Sequence, residues 1–352
     1  MAQRLRRSDC SSPGISRRRR GKGFEYLDPD GERVSDPEVL ARIRELVIPP
    51  AWEDVWICPY PGGHIQATGS DDRGRKQYLY HPRWRERQDA KKFDDMVEFA
   101  RALPALREHV AADLKGEELD RDHVLACAVR LLDRGFFRIG SEDYAVTNES
   151  YGLATMGKRH AQVHGDTLLF DYPAKSGKRR IQAVVDGEIA DTVRRLKQRR
   201  GGGEELLAYR RSGRWTDVRS QDINTYLKES TGLEISAKDF RTWGATVMAS
   251  VALAVAGPAA GTKTGSKRAI TRAIKEVAYY LGNTPAVARA SYIDPRVFDR
   301  YRDGIVIAVH DFEHEPEGTA IQGEVEEAVL DLITGSGKRA SPGLDRVETI
   351  AA

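Results

Sequence analysis

The chemistry open to this chain rests on tyrosines and cationic side chains, because the other common catalytic sets are missing. There is no G-x-x-x-x-G-K-[ST] loop for nucleotide phosphates, no H-E-x-x-H or paired C-x-x-C for a metal, and no G-x-S-x-G nucleophile elbow. The eight histidines are scattered, and His160 and His164 straddle the entry to a strand, so neither a metal nor another cofactor is expected. What remains is basic residues and tyrosines, and five stretches that carry some of them bear on the argument below: KQYLY (76–80), FFRIGSEDYAVTNESYGLATM (136–156), AKSGK (174–178), AKDFRTWG (237–244) and LGNTPAVARASY (281–292). A guanidinium grips anionic oxygens through planar, multidentate hydrogen bonds and keeps its charge. A phenol is a nucleophile once ionised, from an ordinary pKa near 10. An ammonium can hand a proton to a departing oxygen. Each of these side chains also has a plainer use, as a packing ring, an ion pair or a solvated turn.

The chain must be long enough to hold such groups in place, and it is. Its 352 residues allow about two domains, and 40% hydrophobic with 31% charged residues fits a mainly globular, soluble protein. No run approaches the roughly 20 apolar residues of a membrane span, and the start lacks the apolar stretch of a secretory signal. Cys10, Cys58 and Cys127 are odd in number and widely spaced, which speaks against a disulfide framework and for a reducing cytoplasm. The net charge of +3 hides an asymmetry: residues 1–23 carry +7, and residues 311–352 carry −7. The first segment reads as a disordered basic arm suited to a polyanion, usually nucleic acid, or else as a solvated tail. The last reads as a mobile acidic tail.

Between them, 24–90 reads as a small β-rich domain. A helix over 37–48 stops at Pro49-Pro50, and three short strands follow over 55–60, 64–69 and 76–81. From 91 to 310 the pattern is helical, over 91–114, 123–135, 186–198, 220–232, 236–255 and 266–282. A β-hairpin over 161–173 and 179–185 interrupts it, turning at AKSGK. RRGGGEE (199–205) reads as a flexible linker. Ser236 and Asp239 have capping-box spacing, and Thr284-Pro285 and Asp294-Pro295 each open a short helix. The expected class is α+β: an antiparallel β-rich N-terminal domain and a larger helical domain with an embedded hairpin.

The five stretches, in this order and spacing, resemble type IB DNA topoisomerases of the compact bacterial and poxviral kind, over roughly residues 24–310. K-D-F-R-T-W-G and the L-G-N-x8-Y block are the most specific pieces. The resemblance implies a two-domain, monomeric enzyme of the cytoplasm, associated with the nucleoid, that clamps double-stranded DNA. It implies transesterification without metal or nucleotide, with Tyr292 as nucleophile, Arg138 and Arg241 as the catalytic arginines and Lys175 as the hairpin's catalytic lysine. Viral and eukaryotic relatives carry a histidine nine residues before the tyrosine, where this chain has Asn283; that departure looks like a feature of the bacterial branch. Gln77, Tyr78 and Tyr80 match a strand pressed into the DNA groove, and Tyr144 matches a further DNA-contacting tyrosine.

These roles are physically coherent. A phenol attacking a phosphodiester builds negative charge on the non-bridging oxygens, which two guanidiniums and an amide N–H would hold. Clustered cations should lower the phenol's pKa. Lys175 would protonate the 5′-oxygen, with Lys178 and Lys158 as competitors for the role and Lys238, one turn before Arg241, as a possible assistant. Alternation puts Tyr78 and Tyr80 on one strand face and Gln77 and Leu79 on the other, so the DNA reading needs one face exposed. A tyrosine recombinase is the rival enzyme, but recombinases usually carry a histidine at the position of Lys238. A catalytically silent DNA-binding module is the rival of another class.

Overall fold

The computed structural model describes residues 4–257, 262–308, 322–335 and 347–349. The chain divides into two compact units, Met1–Phe93 and Asp94–Ala352.

In the first unit, β1 (Ile15–Arg20), β2 (Gly23–Leu27), α1 (Pro37–Glu45), β3 (Glu53–Ile57), β4 (Ile65–Ser70) and β5 (Lys76–Tyr80) follow in order. The strands form one antiparallel sheet in the order β2-β1-β3-β4-β5. Its core is Ile15, Ile43, Val55, Ile57 and Ala67, with Trp52 and Leu79 packed against them. Asp36 starts α1 by accepting from Glu38 N at 2.8 Å, and Pro37 holds the first helical position.

This sheet corrects the reading of 1–23 as a disordered arm. β1 lies inside the sheet, between β2 and β3, and buries Ile15. Its arginines are used locally. Arg17 stacks over Phe24 at 4.2 Å and donates to Pro49 O at 3.1 Å, while Arg18 and Arg20 pair with Glu25. Farther upstream, Arg6 N donates to Gly62 O and Ser8 N to His64 Nδ1. Charge counting registered the cations but not the neighbouring strand that takes them up.

The second unit is mostly helical. α2 (Pro82–Asp113) begins in the first unit's sequence, nine residues before the expected helix, and ends in the second. Then come α3 (Arg121–Gly135), α4 (Glu142–Asn148), β6 (Ala161–His164), β7 (Thr167–Pro173), β8 (Arg179–Val185) and α5 (Gly187–Gln198). β9 (Ala208–Arg211), β10 (Arg214–Asp217), α6 (Ser220–Thr231), α7 (Ala237–Ala256), α8 (Lys263–Leu281), α9 (Pro285–Ser291) and α10 (Pro295–Arg302) follow, then β11 (Ile305–Ile307), α11 (Glu324–Thr334) and β12 (Val347–Thr349). α7 is the central helix: it packs against α3, α6, α8, α10 and α11 and buries Phe240, Trp243, Val247 and Leu253. Its N-terminus carries the expected capping box, with Ser236 N donating to Asp239 Oδ2 at 2.8 Å.

Three further expectations change. The strand read over 161–173 is two strands, β6 and β7, because Gly165 turns the chain at φ +58°. The linker read at 199–205 leads into an unforeseen hairpin, β9–β10. The acidic segment from 311 holds an ordered helix, α11, which buries Val325, Ala328, Val329, Leu332 and Ile333. Glu326 anchors it by accepting from Arg107 and from Trp243 Nε1, the latter at 2.7 Å. Glu324 and Glu327 lie on the exposed face of this amphipathic helix while Glu326 turns inward, and the overall count of acids concealed the apolar stripe. Residues 311–321, 336–346 and 350–352 of the expected tail lie outside the described residues.

Candidate active site

Arg138 sits on the loop that leaves α3. α3 ends at Gly135, and Phe136 caps it in the left-handed region at φ 53°. The loop is pinned by backbone bonds from Leu153 N to Arg138 O at 2.8 Å and from Ala154 N to Ile139 O at 2.7 Å. Gly152 makes this contact possible, since a Cβ there would lie 2.7 Å from Arg138 O. Arg241 projects from the second turn of α7. α8 ends at Gly282 in the left-handed region (φ 62°), and Asn283 is the next residue. Thr284 then caps α9, accepting from Val287 N at 3.3 Å, and α9 delivers Tyr292 at its end. The main chain at Tyr292 is fixed from the side: Thr246 Oγ1, on α7, lies 3.4 Å from Tyr292 O and accepts from Asp294 N at 3.1 Å.

These residues converge on the last turn of α8. Arg241 donates to Leu281 O at 2.8 Å and also to Phe136 O. Arg138 donates to Gly282 O at 3.2 Å and to Asn283 Oδ1. A further arginine, Arg180 on β8, donates to Tyr279 O at 3.0 Å and to Tyr280 O. Four successive C-terminal carbonyls of one helix thus each receive a guanidinium N–H. They lie in the last turn, where a helix runs out of its own N–H partners, although Tyr279 O also accepts from Gly282 N at 3.1 Å, and they carry the negative end of the dipole. That negative end offsets the mutual repulsion of three clustered cations.

Among the described residues the electrostatics single out one phenol. Burial pushes the Tyr292 pKa up, but Arg241, whose guanidinium carbon is 5.3 Å from the ring centre, then Arg138 and Asn283 outweigh it, and the net shift is downward. Tyr172 feels Arg180, Arg241 and Arg138 as well, yet burial dominates there and pushes it up to about 12. Its hydroxyl is committed to Gln182 Oε1 at 2.8 Å. Arg241 is itself 3% exposed, and burial followed by repulsion from Arg138 lowers its pKa to about 10. Arg241 Nε and Asn283 Nδ2 are buried donors with no hydrogen-bond partner among the described residues. Leaving such donors unmade is costly, and an incoming anion would satisfy them.

A family model for the catalytic core of eukaryotic DNA topoisomerase I matches residues 81–313, and one for the N-terminal domain of bacterial DNA topoisomerase IB matches residues 23–71. The chain belongs to the type IB DNA topoisomerases. It is 29% identical over 304 residues to the DNA topoisomerase 1B of Acanthamoeba polyphaga mimivirus, covering 82% of this chain and 88% of that protein. It is 21% identical over 285 residues to the DNA topoisomerase 1B of vaccinia virus (strain Copenhagen), covering 79% of this chain and 86% of the relative. This topoisomerase is therefore an isomerase acting on DNA, and among its described residues no helix is long and apolar enough to cross a membrane.

The topoisomerase brings Arg138, Arg241, Asn283 and Tyr292 together. Lys175 is exposed on the turn between β7 and β8, and Lys178 is exposed on the same turn. Lys158 is half-buried, and its carbonyl accepts from Lys197 Nζ at 2.6 Å. Lys238 is exposed on the first turn of α7. Tyr144 lies on α4, with its side chain outside the described residues. On β5, Tyr78 and Tyr80 are 42% and 39% exposed and stack with ring centres 6.1 Å apart. Gln77 and Leu79 point the other way, Leu79 onto the core and Gln77 Nε2 to Asp71 Oδ2 at 2.9 Å. Sequence reasoning missed Arg180. The available signal was its place on the inward face of β8, in step with Gln182 and buried Val184.

Proposed function

We propose that this topoisomerase nicks one strand of duplex DNA through Tyr292 and holds the 3′ end as a phosphotyrosine. The phenolate attacks phosphorus, having lost its proton to solvent, and the bond to the 5′-oxygen breaks. Lys175 gives that oxygen its proton, and the free 5′-hydroxyl reverses the step after the duplex has swivelled. Because the ester stores the bond energy, supercoils of either sign relax without ATP or metal. Arg138, Arg241 and Asn283 hold the non-bridging oxygens. The observation that carries the reading is the downward shift of Tyr292 beside two guanidiniums and two unpaired buried donors.

DNA contact by Tyr78 and Tyr80 is supported by their exposed, stacked rings, which suit a groove or base surface. Gln77 would act from the same strand by bracing the turn through Asp71. Tyr144 and Lys238 complete the proposed contacts, and the enzyme works as a monomer on nucleoid DNA. The test is supercoiled plasmid with EDTA and no ATP, stopped with denaturant. Stepwise relaxed topoisomers and a covalent adduct are expected, with both lost in Tyr292→Phe while DNA binding persists. An adduct in Tyr292→Phe would move the nucleophile to another tyrosine, and recombinant products would favour a recombinase.

A further inference from the structure

The hairpin β7–β8 carries Lys175 on an exposed turn, and something must fix that turn relative to the oxygens being cut. Two side chains on the inward face of β8 tie the hairpin down. Gln182 Nε2 donates to Gly135 O, at the end of α3 from which the Arg138 loop departs, while its Oε1 holds the Tyr172 hydroxyl. Arg180 is five residues beyond Lys175 and sits opposite Tyr172 in the strand register. Its two terminal nitrogens bind Tyr279 O and Tyr280 O, so one planar group spans two carbonyls of the α8 terminus. Arg138 and Arg241 bind the next two carbonyls of that terminus. Gly282 leaves room for the arrangement, since a Cβ there would stand 3.2 Å from Arg180 Nη1.

We propose that Arg180 is a positioning residue for the proton donor: it docks the Lys175 hairpin onto the same helix terminus that holds the two oxygen-binding arginines. It touches neither the phosphate nor the nucleophile. Its task is to keep the donor in register with the clamp. The proposal rests on the reading of Lys175 as general acid, so its test separates the two.

The experiment measures single-turnover cleavage on ordinary DNA and on DNA with sulfur at the 5′-bridging position. A thiolate leaves without a proton, so the sulfur substrate bypasses any defect in proton donation. Misplacing a catalytic group by about 1 Å can cost about 10²-fold. Arg180→Ala is therefore expected to be slowed about 10²-fold on ordinary DNA and to return to within about 10-fold of the parent enzyme on the sulfur substrate. Arg180→Lys, whose ammonium can reach one of the two carbonyls, should fall between them. Arg179→Ala is the control, because Arg179 faces outward, 72% exposed, paired with Asp171; it should be normal on both substrates. A merely structural role for Arg180 would slow both substrates alike. If Lys175→Ala is rescued by sulfur and Arg180→Ala is not, the positioning proposal fails while the acid assignment stands. If Lys175→Ala is not rescued, the acid assignment fails and the proposal falls with it. Normal cleavage of ordinary DNA by Arg180→Ala also overturns it.

Discussion

Gly282 is the position where stability and chemistry can be separated by two substitutions. It caps α8 at φ 62°, ψ 42°, a conformation that costs an L-residue with an ordinary side chain about 1–2 kcal/mol. A new Cβ would also sit 3.2 Å from Arg180 Nη1 and 3.7 Å from Arg138 Nη1, so the nearer guanidinium must give by a few tenths of an ångström. Gly282→Ala incurs both penalties. Gly282→Asn meets the same crowding but much less backbone strain, because asparagine visits the left-handed region readily. At roughly 2–4 °C per kcal/mol for a unit of this size, the Ala variant should melt about 2–8 °C lower and the Asn variant should lose less. Cleavage should fall in both, by about 10-fold or more, because the crowding acts on the Arg180 guanidinium in either case. Differential scanning calorimetry and single-turnover cleavage of a short duplex give the two readouts. Parent-like cleavage by both variants would refute the idea that the α8 terminus sets the arginine geometry. Equal melting points with unequal rates would refute the division between strain and crowding.

Replacing Arg138 or Arg241 with Ala should slow cleavage about 10²–10³-fold, the usual effect of losing a transition-state donor, with little change in DNA affinity by gel shift; a large affinity loss with normal chemistry would make them anchors instead. Asn283→His should stay active, since imidazole offers an N–H, while Asn283→Ala should be impaired. Because Asn283 helps to lower the Tyr292 pKa, its loss moves that pKa up, and the rise of the cleavage rate with pH should shift to higher pH in Asn283→Ala. Glu326→Ala strips Trp243 Nε1 of its acceptor and Arg107 of one of its two acidic partners, so it should cost about 1–3 kcal/mol, read as a lower melting point with normal cleavage per folded molecule.

The charge asymmetry of the termini was the least reliable guide to structure. Eight cations in residues 1–23 look like a free arm, yet Ile15 is core, and the run ISRRRR makes a strand in which Phe24, Glu25 and backbone carbonyls take up Arg17, Arg18 and Arg20. Deleting those residues would remove a strand from inside the sheet, so a loss of DNA binding in such a truncation would report unfolding rather than lost cation contacts. In the same way, α11 was hidden by the acids that solvate its outer face. Local punctuation was far more dependable. The Ser236–Asp239 box, Gly232, Gly282, Thr284-Pro285 and Asp294-Pro295 all mark real helix ends, because each acts through a few backbone atoms and needs no tertiary context.

The site divides along the same line. The family resemblance pointed to Arg138, Arg241, Asn283 and Tyr292, and the structure brings all four to one place. What the resemblance could not show is why they meet. Arg138 and Arg241 are about 100 residues apart in sequence, and Arg180 lies between them with no motif of its own. They are joined by backbone carbonyls of α8, which have no sequence signature beyond the glycine that ends the helix. A helix C-terminus offers a row of unsatisfied acceptors at the negative end of a dipole, and three guanidiniums use it as a common mount. Arg138 and Arg241, which spend N–H groups on these carbonyls, have their orientation set before DNA arrives, and in the proposed mechanism donors left over at the site take the anion. The unpaired Arg241 Nε and Asn283 Nδ2 are that remainder. On this view the buried, unsatisfied donors are a cost borne by the free enzyme and recovered when phosphate binds, so loss of the α8 mount should weaken catalysis more than it weakens DNA affinity.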